Sequence, residues 1–197
     1  DIPFDTAEAN RVLDEAGYVL GSDGVRTKGD LRLEFRLQFP STLSVYARMA
    51  DMMANWFKEA GMKANPEAMD EDSLIAATTA VGDYDLVLWS WEPDPDPDFI
   101  LSVLTTDQFV DGGWSDSGYH NPEYDQLYLD QQKLVDRTQR QQAIWKMQEL
   151  AFNDRPYIVL FYEDMLQAYR SDRFTGFIES PLGLESTESL LSIEPVK

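Results

Sequence analysis

Residues 84–99 read YDLVLWSWEPDPDPDF, a segment that starts as a strand and ends as something that cannot be one. Between Tyr84 and Trp91 the run is aliphatic and aromatic, broken only by Asp85 and Ser90. It is apolar on both faces, with Val87, Trp89 and Trp91 against Tyr84, Leu86 and Leu88, as expected of a central strand covered on both sides. After Glu92, three prolines alternate with three aspartates. Proline has no backbone N–H, so the ladder must stop there. A buried strand therefore opens into a stiff, acidic loop. In α/β domains ligands sit beyond the carboxyl ends of the strands, so this edge is the first place to look for a site.

The flanking sequence supplies partners for such a strand. Residues 31–39 alternate, with Leu31, Leu33, Phe35, Leu37 and Phe39 on one face and Arg32, Glu34, Arg36 and Gln38 on the other, which predicts a half-exposed strand. Before it, Asp5 is placed to cap a helix, with Glu8 completing a capping box, and Gly17 stops that helix. After it, Ser41 or Thr42 is expected to cap a helix through Val45, Met49, Met52, Met53, Trp56 and Phe57, closed by Gly61. Residues 65–70 predict a strand that Pro66 confines to a sheet edge, and Asp72 is expected to cap a helix over 73–80. Beyond the acidic loop the pattern predicts helices over 99–105, 123–136 and 138–152, joined by a long loop at 106–122. A hairpin of 157–162 and 165–170 about a Glu163-Asp164 turn follows. Alternating strands and helices predict one α/β domain over 1–197, a mixed β-sheet flanked by helices.

The totals restrict function. With 36 acidic and 16 basic residues among 197, the net charge is −20, and nucleic acid or an anionic membrane surface would require clustered Lys and Arg. There is no cysteine, which removes disulfides, thiol catalysis and thiolate metal sites. No apolar run approaches the ~20 residues needed to cross a bilayer. The abrupt start at Asp1, with a helix signal almost at once, reads as an excised segment or a mature fragment.

Catalysis finds no positive support in the residues. Asp94, Asp96 and Asp98 match the first three ligand offsets of an EF-hand loop, but Phe99 and Thr105 stand where that loop needs Gly and Glu. Glu92 and Asp94 form a candidate acid/base pair for glycoside hydrolysis, the basis of an alternative reading as a carboxylate-dependent hydrolase. His120, the single histidine, has no nucleophile motif to serve and reads as a loop residue making a local hydrogen bond. Binding is better supported: a carboxylate flanked by indole rings suits a ligand carrying a positive amine. The residues alone leave Trp89 and Trp91 open to either reading, pocket wall or plain core.

Five segments together resemble a known family. DEAGY at 14–18, WFKEAGM at 56–62, GDYDLVLWSW at 82–91 with its Pro- and Asp-rich continuation to Phe99, NPEYDQL at 121–127 and the NDRPY stretch ending at Tyr157 occur in that family's order and spacing. The chain resembles the C-terminal lobe of the peptide-type extracellular solute-binding proteins of ABC importers, the dipeptide and oligopeptide receptors. The resemblance implies one lobe of a type II-like periplasmic-binding-protein fold that closes on a peptide ligand, performs no chemistry and needs no cofactor or metal. It implies as partners an N-terminal lobe outside this chain and an ABC permease, a monomeric receptor, and a periplasmic or extracellular location, a membrane-anchored lipoprotein included. In that family an acid just past the strand's tryptophan pairs with the peptide α-amino group. The position falls on Glu92, with Trp89, Ser90 and Trp91 beside it and Asp94 as the alternative partner. The same fold also serves non-peptide solutes such as nickel complexes, opines or oligosaccharides.

Overall fold

The computed structural model describes residues 3–79, 82–91, 94–162, 164, 166–180 and 182–196. They fall into two compact units, Asp1–Ser90 and Trp91–Lys197.

The first unit is built on strand β4 (Glu34–Pro40). It pairs in parallel with β5 (Lys63–Met69) over seven residue pairs, from Glu34↔Lys63 to Pro40↔Met69. On its other edge it pairs in parallel with β6 (Leu86–Val87). Pro66 lies on the outer strand, as its missing N–H requires. The position of the two longer apolar runs is the reverse of the expectation. Residues 34–40 lie in the centre of the sheet, and the 84–91 run lies at an edge with only Leu86–Val87 in the ladder. Asp85 explains the short pairing: its carboxylate accepts from the Arg36 backbone N at 2.8 Å and also binds the Arg36 guanidinium. A side chain thus takes the donor that a backbone carbonyl of β6 would have used. One further bond, Leu88 N to Gln38 O at 2.8 Å, carries the contact beyond the ladder.

The alternating run also divides. Its start, β3 (Leu31–Arg32), belongs to a small antiparallel sheet with β2 (Arg26–Lys28) and β1 (Val19–Leu20). Leu33 is the junction, its N–H donating to Arg26 O and its carbonyl accepting from Lys63 N, both at 2.9 Å. Leu31 consequently stays exposed while Leu37 and Phe39 are buried.

Helix α1 (Thr6–Glu15) is capped by Asp5, which accepts from Glu8 N at 2.9 Å. The Glu8 side chain turns to Arg11 instead of completing a capping box. Helix α2 (Ser44–Glu59) has Leu43 at its N-cap and no side-chain cap. Ser41 lies before the cap position, and its N–H continues the ladder, donating to Met69 O at 2.7 Å. Tyr46 and Ala50 on α2 are buried with Leu37, Phe39, Ala64 and Leu88, and Met49, Met53, Ala54 and Phe57 pack around them. The methionine stripe is therefore mostly core, whereas Met52 and Trp56 face outward, Trp56 against the Phe4 ring. Helix α3 (Glu71–Thr78) begins two residues earlier than expected. Asp70, not Asp72, is the cap, accepting from Ser73 N at 3.0 Å.

One charge is buried in this unit. Arg26, 4% exposed, donates to Asp14 Oδ1 at 2.5 Å, Asn10 Oδ1 at 2.7 Å, Tyr18 O at 2.9 Å and Ala60 O at 3.1 Å. It gathers α1 and the end of α2 onto β2 through these four guanidinium hydrogen bonds to fixed acceptors.

The second unit contains α4 (Asp98–Ser102), a 3₁₀ turn at Thr106–Gln108, α5 (Pro122–Gln131), α6 (Arg137–Asp154) and α7 (Thr187–Ser192), with a short pair β7 (Phe174–Thr175) and β8 (Glu194–Pro195). Leu101, Leu104, Tyr124 and Met147 form its core, and the Tyr124 hydroxyl donates to Leu101 O at 2.9 Å. Asn121 caps α5, with Pro122 in the first turn. Asp136, expected inside the preceding helix, instead caps α6. Of the expected hairpin, 157–162 and 166–170 carry no strand among the described residues. Glu163 of the expected turn, and Met165 after it, lie outside the described residues.

The loop before α5 is tied down by polar contacts. The Tyr119 hydroxyl and Asn121 Nδ2 both donate to Asp154 at the end of α6, at 2.6 and 2.8 Å. Asp116 is buried and accepts from the Tyr157 hydroxyl, and burial pushes its carboxyl above its ordinary value.

Two stability predictions follow from these buried groups. Arg26→Met, which keeps the apolar stem and loses every donor, is expected to destabilise the protein by roughly 2–4 kcal/mol. Urea unfolding measures this, and an unchanged midpoint would count against the clamp. For Asp116 the folded carboxyl titrates above its unfolded value, so ionisation is less favourable in the folded state. Wild type should lose stability relative to Asp116→Asn as pH rises from 3.8 through the raised value, and the gap should then stay constant. Parallel pH-stability curves for the two proteins would contradict the buried-carboxylate assignment.

Candidate functional site

Because β4, β5 and β6 run parallel, their carboxyl ends share one edge, at Pro40, Met69 and the residues after Val87. Leu88 is buried beneath this edge, Trp89 is half-buried and Ser90 is exposed. Ser90 is held by α2, its Oγ lying 2.7 Å from the Tyr46 hydroxyl. The strand end thus has a fixed anchor that periodicity did not disclose, since Tyr46 lies 44 residues away.

Glu92 and Pro93 lie outside the described residues. In the second unit, Trp91 packs edge-on against Phe99 with ring centroids 5.9 Å apart, and Phe99 against Trp114 at 5.4 Å. The Trp91 indole Nε1 is buried without a hydrogen-bond partner among the described residues.

The loop aspartates divide by role. Asp96 receives both arms of the Arg140 guanidinium, at 2.6 Å each, and its Oδ1 also accepts from Asp98 N at 2.9 Å. Arg140's hydrogen bonds hold the Asp96 carboxyl down at about 2. Asp98 accepts from Gln131 Nε2 at 2.6 Å, from Gln132 Nε2 at 3.2 Å and from the Tyr128 hydroxyl at 3.3 Å. Asp94 is exposed and makes no side-chain hydrogen bond or ion pair among the described residues. The calcium-like spacing therefore does not translate into convergent ligands, because Asp96 and Asp98 are engaged by side chains of α5 and α6. Among the described residues no group of three or more His, Asp or Glu is placed to hold a metal ion.

His120 makes the local bond expected of it, its Nδ1 lying 2.9 Å from Thr106 Oγ1. The Thr106 hydroxyl gives its proton to Asp125 Oδ2 at 2.6 Å, so the imidazole has no hydroxyl to activate there. Arg140 and Gln131 are the site-region residues that the sequence reading missed. Each lies more than 30 positions from its partner aspartate, and the available signal was chemical: one of 16 cations in a chain with 36 acids, facing a run of carboxylates.

Along the chain, the acidic segment follows the aromatic strand end. A family model for bacterial extracellular solute-binding proteins, family 5 Middle, matches residues 1–111. Protein XP55 of Streptomyces lividans is 29% identical over 196 residues, covering 95% of this chain and 34% of its own length. The chain thus spans about a third of the length of the curated relatives it matches. Among solved structures, the oligopeptide-binding protein AppA of Bacillus subtilis, in complex with a nonapeptide, superposes with a TM-score of 0.76 at 20% identity, covering 100% of this chain and 39% of that one. NikZ of Campylobacter jejuni, in complex with Ni(L-His), gives a TM-score of 0.67 at 20% identity over 77% of this chain and 31% of its own. The mixed sheets flanked by helices are those of the periplasmic binding proteins of this family. This chain belongs to the bacterial extracellular solute-binding proteins of family 5.

Proposed function

We propose that the chain is the C-terminal, ligand-binding lobe of an ABC-importer receptor that captures peptides outside the cell membrane and passes them to a permease, without chemistry. In this reading Glu92 receives the peptide α-amino group, Asp94 stands as its alternative, and Trp89, Ser90 and Trp91 line the approach. The observation that carries it is the division among the loop carboxylates: Asp96 and Asp98 are engaged by Arg140 and Gln131, while Asp94 has no partner among the described residues. Asp94 is thereby, among the described residues of the loop, the acid available to a cation from outside the chain. Supporting this are the family match and the likeness to a receptor holding a nonapeptide. A ligand amine paired with a desolvated carboxylate gains a charge-assisted bond, and removing the acid leaves that amine unpaired.

A second reading, a non-peptide solute in the same fold, is favoured by the likeness to NikZ with its nickel–histidine complex. Calorimetry on the full-length protein separates the two. Glu92→Gln should lose roughly 2–5 kcal/mol of peptide affinity, and N-acetylation of the peptide should cost wild type a similar amount. Loss on Asp94→Asn instead would move the role to Asp94. Tight nickel–histidine binding with no peptide binding would replace the peptide reading by the second one.

A further inference from the structure

The acidic segment does not hold its shape through prolines alone. Pro95 and Pro97 restrict φ at two positions of the 94–98 backbone and leave ψ to be set by other contacts. Those contacts come from α5 and α6. Arg140 meets Asp96 as a planar fork, both nitrogens at 2.6 Å, a geometry that fixes the carboxylate's plane as well as its position. Asp96 passes the constraint on by accepting from Asp98 N. Between the two aspartates stands Gln131, 0% exposed. Its Oε1 accepts from Arg140 Nε at 2.9 Å and its Nε2 donates to Asp98 Oδ1 at 2.6 Å. The amide has one workable orientation, since a flip would set its NH₂ against the guanidinium and its oxygen against the carboxylate. Asp98 and Arg140 are therefore locked to each other through a buried group.

The charges give this network a further consequence. Three carboxylates alternate along 94–98 in a chain of net charge −20. Arg140 neutralises one of them and the glutamine amide satisfies another. Among the described residues of the segment, the uncompensated negative charge therefore sits at its upstream end, on Asp94.

We propose that Arg140 and Gln131 are positioning residues for ligand capture: the Asp96–Arg140–Gln131–Asp98 network anchors the acidic segment on α5 and α6 and so sets where its upstream carboxylates meet a ligand amine. The proposal rests on the amine-binding reading given above. Arg140 touches no ligand in this scheme and acts only through the loop, so its effect should be specific to the amine and should vanish when the amine-binding acid is gone.

Calorimetry on the full-length protein, with a free-amine peptide and its N-acetylated counterpart, tests this. Arg140→Met should weaken the free-amine peptide on the order of tenfold, as loss of a group that orients a binding residue commonly does, and leave the acetylated peptide unaffected. Arg140→Lys, which keeps the charge without the fork, should recover part of the loss, and Asp96→Asn should reproduce the Arg140→Met effect. In the double variant with Glu92→Gln, Arg140→Met should add little, because both remove one interaction. Equal loss for both peptides, full additivity, or unchanged affinity would overturn the positioning role. If the carboxylate variants Glu92→Gln and Asp94→Asn keep wild-type affinity, the amine reading fails and the proposal with it. If they lose affinity while Arg140→Met does not, the positioning role alone fails.

Discussion

The first unit depends on backbone hydrogen bonds along both edges of Glu34–Pro40. A strand in that position must satisfy donors and acceptors on each side and bury both of its faces, which is why Gln38 is as buried there as Leu37 and Phe39. Parallel pairing then aligns three carboxyl ends on one edge. A single interaction limits the ladder: the Asp85 carboxylate takes the Arg36 N–H and shortens β6 to two residues. On the carboxyl side the chain leaves the ladder after Val87 and stays anchored by Leu88 N and by Ser90 against Tyr46.

In the second unit the equivalent constraint is electrostatic. A run of alternating aspartates and prolines cannot pack as a strand or helix and would repel itself if left uncompensated. Arg140 and Gln131 supply the compensation from helices whose own placement rests on the Leu101, Leu104, Tyr124 and Met147 core. Packing among helices therefore positions an acidic loop. This chain of dependence runs from apolar burial through a polar network to a candidate binding function.

Legibility in the sequence varied by the range of the interaction involved. The Asp5 cap of α1, the helix around Met49 and Met53, and the confinement of Pro66 to an edge were all readable, because each follows from residues within a few positions. Misplaced boundaries had a common cause, competition for polar groups. Ser41 joined the sheet instead of capping α2, Asp136 capped α6 instead of extending the previous helix, and Asp70 pre-empted Asp72. At the site, the aromatic and acidic side chains of 89–98 were visible as a group, but nothing local showed that Asp96 and Asp98 had partners.

Local chemistry by itself determined that residues 84–91 would be buried in part and that the ladder could not continue past Glu92, because proline removes donors wherever it stands. It also determined the family resemblance, carried by short segments in a fixed order. Only the tertiary structure decided which strand was central, since the strand apolar on both faces and the alternating strand were each compatible with that place and the order β5–β4–β6 comes from long-range pairing. It alone decided which carboxylates were occupied. Arg140 lies 44 positions from Asp96, and spacing along a chain carries no information about a contact made by folding two helices beneath a loop.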